Sequence, residues 1–97
     1  MKKRIWKVLT VLFLLSFASS GCYYFSAKKE LANAEKLFSE LKKAGGEKQV
    51  PYEYCSAEKN LEASKIEFSD NDFGPAKEFA KRSKSAAQDG LAEIRKK

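Results

Sequence analysis

From Ser26 to Lys97 the apolar residues recur every third and fourth position, and they never alternate over a stretch long enough for a β-strand. That period predicts helices throughout. Ala27, Leu31, Ala34, Phe38 and Leu41 fall on one face of a first helix over 27–44, with Leu37 widening the stripe and Ser26 as the expected N-cap. Gly45-Gly46 ends it, and GGEKQV reads as a loop. Pro51 opens a second helix, where its fixed φ and missing N–H cost nothing. Tyr54, Ala57, Leu61, Ser64 and Phe68 form its stripe, flanked by Lys65 and Ile66. Ser69-Asp70-Asn71-Asp72 breaks it, because these side chains bond their own backbone and favour turns. A third helix starts near Asp72 with Pro75 in its first turn, and its stripe is Phe73, Ala76, Ala80, Ser83, Ala87, Leu91 and Ile94. Phe79 lies beside that line and is expected to cover the joint, while Gly90 reads as a weak point costing about 1 kcal/mol relative to Ala.

These stripes are narrow and rich in Ala and Ser, which lets helix backbones approach closely in coiled-coil-like packing. The short connection over 69–72 makes the second and third helices antiparallel, with arms of about 20 residues and about 30 Å. The expected fold is all-α: an antiparallel αα-hairpin with an additional N-terminal helix that folds back to complete a three-helix bundle. The alternative leaves the first helix as a stalk. The bundle is preferred because an isolated hairpin buries little surface.

The pattern upstream is different. MKKRIWK is a positive start, VLTVLFLLSFA is an apolar run, and Ser19-Ser20-Gly21 is a small-residue exit before Cys22. Those are the three parts of a secretory signal. With Ser20-Gly21-Cys22 as its ending, the segment resembles bacterial lipoprotein signal peptides, although Ser19 stands where that family usually has Leu. The resemblance implies that Cys22 receives a diacylglyceryl group as a thioether, that cleavage falls before it, and that its new amine is acylated. Two other readings stay open, a plain secretory signal and an uncleaved membrane helix over Val8–Phe25, which is uncharged. The chain thus divides into a signal peptide (1–21), a membrane-proximal linker (22–26) and a helical domain (27–97). One acyl chain holds a protein marginally and two or more hold it stably, at about 0.8 kcal/mol per buried CH₂. Tyr23, Tyr24 and Phe25 either sit at headgroup level, where amphipathic rings are favoured, or pack on the helical body. The absence of Asp after Cys22 resembles lipoproteins sorted to the outer membrane, so the periplasmic face of that membrane is expected where the host has one.

Charge changes the picture less than its total suggests. Of 19 basic residues, Lys2, Lys3, Arg4 and Lys7 lie in the signal segment, and the rest of the chain holds 15 against 13 acidic ones. They are interspersed, as on a solvated helix face, without the one-sided stripe that nucleic acid requires. No nucleic-acid partner is expected. Histidine is absent, and no phosphate loop, paired-carboxylate motif or nucleophile elbow appears. No catalysis, cofactor, metal or small-molecule substrate is therefore expected. Asp70, Asn71 and Asp72 resemble the start of a calcium loop but lack its Gly and distal Glu, which favours a turn and helix cap. Glu58, Glu62 and Lys65 read as surface pairs along one helix.

Two residues remain as candidate attachment points. Cys55 is the thiol left over once Cys22 is lipidated. It is either the partner in an intermolecular disulfide or a small apolar residue close to the packing seam. The ending Ile94-Arg95-Lys96-Lys97 is similar to that of the major outer-membrane lipoprotein. That likeness implies attachment of the Lys97 amine to peptidoglycan; a helix-dipole match is the alternative. Residues 27–94 resemble the family of domain of unknown function 4398, short helical bacterial lipoproteins, through the Pro51-Tyr52 start, the Ala and Leu spacing, the Asp72-Phe73 corner and the Ala-every-four helix after it. The same corner is similar to a single tetratricopeptide-type unit. The expected function is a membrane-anchored envelope lipoprotein that holds or spaces a protein partner. The alternative is an envelope tether joined to the wall through the basic C-terminus.

Overall fold

Nothing between Val8 and Lys43 stops a helix: there is no proline, and Gly21 is the single glycine. In the computed structural model, α1 accordingly runs without interruption over Lys2–Lys43. The structure describes residues 4–12 and 23–97 in full and, for residues 2, 3 and 13–22, the helical backbone alone. Ser26 is therefore not an N-cap. It lies within α1, and the 22–26 linker is helical backbone. The remaining elements are α2 (Gly46–Gln49), α3 (Pro51–Ser69) and α4 (Phe73–Lys96). The projecting first half of α1 stretches the molecule to 71 × 22 × 15 Å.

The segment expected to be a plain loop, GGEKQV, folds into the single turn of α2. Gly45 takes φ +82°, the left-handed conformation that glycine adopts without a Cβ penalty, and its N–H donates to the Lys42 carbonyl at 3.1 Å. Gln49 Nε2 donates to the Ala44 carbonyl at 3.1 Å, and Val50 N–H to the Gly46 carbonyl at 2.9 Å, so the corner satisfies its own backbone. Pro51 sits in the first turn of α3. At the other corner, Asn71 turns the chain with φ +64°. The Asp70, Asn71 and Asp72 N–H groups donate back to the Ile66, Phe68 and Glu67 carbonyls at 3.1, 3.1 and 2.9 Å. Asp72 precedes α4 without making a side-chain cap bond.

The second half of α1, α3 and α4 form the expected three-helix bundle, with α4 packed against both others. Ala27, Ala34 and Leu41 are buried on α1, Tyr54, Ala57, Leu61 and Ser64 on α3, and Ala76, Ala80, Ser83, Ala87 and Gly90 on α4. Leu41, Val50, Tyr54, Ala57 and Ala87 make the larger core cluster, and Ala34, Leu61 and Ala80 a smaller one; Phe38 packs against both. The α4 stripe departs from expectation at its end, where Gly90 is buried and Leu91 and Ile94 are half-buried. Two buried hydroxyls stitch the hairpin. Ser64 Oγ donates to the Ala76 carbonyl and Ser83 Oγ to the Ala57 carbonyl, both at 2.7 Å.

Candidate functional sites at the two ends of the bundle

The chain reverses twice after α1, so α1 and α4 run in the same direction and α3 runs against them. One end of the bundle holds the 69–72 corner and the other holds the 45–50 corner. Each sequence-predicted site residue belongs to one end or to the flank between.

At the first end Tyr24 is half-buried, its ring centre 5.5 Å from Phe68 and 5.2 Å from Phe73, and Phe68 and Phe73 are 5.3 Å apart. Edge-on and tilted contacts at these separations suit the ring quadrupoles. This trio, rather than Phe79, covers the joint. Phe79 lies on α4 with the Arg82 guanidinium 5.6 Å from its ring. Lys28 Nζ lies 5.9 Å from the Tyr24 ring centre. Of the three consecutive rings, Tyr24 thus packs on the body, whereas Tyr23 and Phe25 point outward, 58% and 69% exposed. Tyr23, Asn71, Phe73 and Gly74 line an open groove of about 450 Å³ at this end. Cys22 immediately precedes Tyr23; its side chain and those of Ser19 and Ser20 lie outside the described residues. Among the described residues no helix is long and apolar enough to cross a membrane. Much of the Val8–Phe25 alternative falls outside them.

The acidic corner is a turn. Asp70 closes α3 and Asp72 precedes α4, as the turn requires, but the expected side-chain cap on α4 is not made. Glu67 is drawn into it: desolvation, a hydrogen bond with Asp72 and the charges of Asp72 and Asp70 all raise its carboxyl above the usual carboxylate range.

At the far end Lys97 Nζ donates to the Gln49 carbonyl at 2.8 Å, which fixes the C-terminus beside the α2 corner. Tyr54 is buried nearby, and desolvation, reinforced by Glu47 and Glu58, pushes its phenol above its ordinary value.

Cys55 is on the flank and is exposed, so the packing-seam reading does not hold for it; Tyr54, one residue earlier, takes the buried position. The surface pairs also differ from expectation. Lys65 Nζ reaches across to Glu35 on α1 at 3.1 Å, while Glu62 pairs with Lys59 at 3.8 Å. A third pair, Lys84–Glu30 at 3.0 Å, is the most buried and joins α4 to α1. Sequence reasoning missed the cross-helix pairs and the Tyr24–Phe68–Phe73 cluster, because both depend on how far α1 slides along the hairpin. The available signal was Phe68 and Phe73 on either side of one turn, which marks an apolar corner awaiting a partner ring. Comparisons with protein-family models, curated proteins and solved structures find no match for the chain.

Proposed function

We propose that the chain is an exported lipoprotein in which Met1–Gly21 directs export, Cys22 carries the lipid, and residues 27–97 form a helical module that holds or spaces a protein partner in the cell envelope without catalysis of its own. The observation that carries this reading is the order of parts around Cys22: a basic start, an apolar run, small residues, the thiol, then three rings leading into the bundle. An anchor one residue from Tyr23 places the aromatic corner toward the membrane and the 45–50 corner away from it. Where the host has two membranes, the periplasmic face of the outer one is the proposed location.

Intact mass measurement on protein from labelled cells tests the anchor. The expected product lacks residues 1–21, carries diacylglyceryl and acyl groups, and takes up label from an acyl-chain precursor. Cys22→Ala should abolish label and membrane retention together. A native protein with an unacylated N-terminal Met would defeat the reading. Crosslinking in intact envelopes followed by pull-down, with Cys22→Ala as control, identifies the partner.

A second reading, a wall tether through Lys97, draws support from the Lys97–Gln49 bond, which sets the terminal amine at the end of the bundle remote from Cys22. A protein joined to lipid at one end and to glycan at the other needs that polarity. Muramidase digestion of the same envelopes decides it, and absence of a glycan adduct on Lys97 removes the idea.

A further inference from the structure

Tyr24 anchors α1 to the α3–α4 corner, so whatever holds residues 22–25 at a surface also brings residues 71–74 to it. With a rise of about 1.5 Å per residue, Tyr23 and Phe25 lie within about one turn of the corner's level along the bundle axis. The corner is not sealed there. Phe73 and Gly74 are half-buried, and the groove they share with Tyr23 and Asn71 is open. A Cβ on Gly74 would meet nothing within 4 Å.

We propose that this end of the bundle is itself a membrane-contact surface, in which Tyr23, Phe25 and Phe73 and the groove beside Gly74 rest in the headgroup–acyl boundary of the anchoring leaflet, so that the bundle stands on end. The inference builds on the lipidated Cys22 of the preceding section and adds a second, non-covalent attachment from α4. The occupant of the groove is lipid rather than another protein for two reasons. The exposed rings continue the uncharged run from Val8 to Phe25, with Lys28 the first charge after it, and the groove opens beside the anchored residue. Tyr23, with an apolar body and a polar hydroxyl, suits that boundary, the Phe25 and Phe73 rings add apolar area, and surfaces of this kind settle about 5–10 Å into it. Charge neither drives nor forbids the contact, since Glu67, Asp70 and Asp72 at the corner are matched by Lys28, Lys29 and Lys77 about a turn or two farther up. The attachment also fixes orientation. A single lipid at Cys22 would let the bundle tumble, whereas contact at both α1 and α4 points the 45–50 corner and Lys97 away from the membrane.

Tryptophan depth quenching tests this on the mature lipidated protein, purified from membranes and reconstituted into phospholipid vesicles; loss of residues 1–21 removes Trp6, the sole tryptophan, and Trp6→Phe keeps any uncleaved chain silent. Gly74→Trp puts the probe at the mouth of the groove, where a Cβ has open space, and Tyr52→Trp, at a residue 81% exposed near the opposite end, reports the far side. The expected result is that the protein floats with the vesicles and that Gly74→Trp emits to the blue. That emission is lost to lipids brominated near the headgroup, while the Tyr52→Trp emission is not. A floating protein whose Gly74→Trp emission resembles that in water overturns the docking and leaves the anchor standing. Equal loss from both probes overturns the upright orientation, because it describes a bundle lying on its side. A protein that does not float sinks the anchor and the docking together.

Discussion

Gly90→Ala sets local propensity against packing, and the structure determines which wins. In an exposed helix the change would stabilise by about 1 kcal/mol. A methyl built on Gly90, however, lies 2.9 Å from Leu41 Cδ1, 3.2 Å from Glu53 Cβ and 3.3 Å from Val50 Cγ2. Leu41 is fully buried and also lies close against Gly46, where a methyl would meet its Cγ and Cδ1 at 2.6 and 2.8 Å. It cannot simply swing aside. Overpacking of a closed core costs about 1–3 kcal/mol, and with α1, α3 and the linking Val50 all having to give way the upper half of that range applies. After the helix gain is subtracted, a net loss of about 1–2 kcal/mol remains, each kcal/mol a fall of about 4–8 °C in midpoint for a domain of this size. Thermal and urea unfolding followed by far-UV circular dichroism reads it directly. A double-mutant cycle isolates the cause. Leu41→Ala alone should cost about 2–5 kcal/mol, and adding Gly90→Ala to it should recover stability, because the collision with Leu41 is gone and the helix gain stays. A rise in midpoint for Gly90→Ala alone, or an equal loss in both backgrounds, would refute the argument.

The remaining predictions concern polar groups. Ser64→Ala and Ser83→Ala each delete a buried 2.7 Å bond between α3 and α4, so each should lower stability by about 1 kcal/mol in urea unfolding; an unchanged midpoint would show that these bonds do not hold the hairpin. Glu67 bears on pH: its folded carboxyl sits above the ordinary 4.5, so the folded state holds the proton more tightly than the unfolded one. The stability it adds is complete below that ordinary value and is lost as pH rises through the folded value. Glu67→Gln should flatten that decline in a pH series of unfolding midpoints, and a decline equally steep in the variant would place its source elsewhere.

The helical period, the three buried stripes and the two corners were legible because each rests on local signals: spacing of apolar residues, Gly45-Gly46, Pro51 and the Ser69–Asp72 run. Gly90 was misjudged for a specific reason. After Ala87 a helix of 3.6 residues per turn lets either position 90 or 91 continue the buried line, and sequence favours the larger side chain, Leu91. The choice belongs to Leu41 on another helix, whose bulk leaves room opposite it for hydrogen alone. Propensity registered the missing side chain as a defect, although the packing requires it.

The start of α1 shows the same limit from the other direction. Ser26 has the chemistry of an N-cap, but a cap is needed only where the preceding backbone leaves the helix, and residues 8–25 contain nothing that makes it leave. Removal of residues 1–21 would turn Cys22 into the first residue of a helix whose first turn is pinned by Tyr24 to Phe68 and Phe73. The lipid would then be joined to a packed rod rather than to a flexible tail. The bundle's distance from the membrane would be set by these three rings instead of by linker length. On the proposed function, a module that spaces partners in the envelope would depend on that rigidity, which would make Tyr24, more than any residue of the far corner, the side chain through which the anchor acts on the bundle.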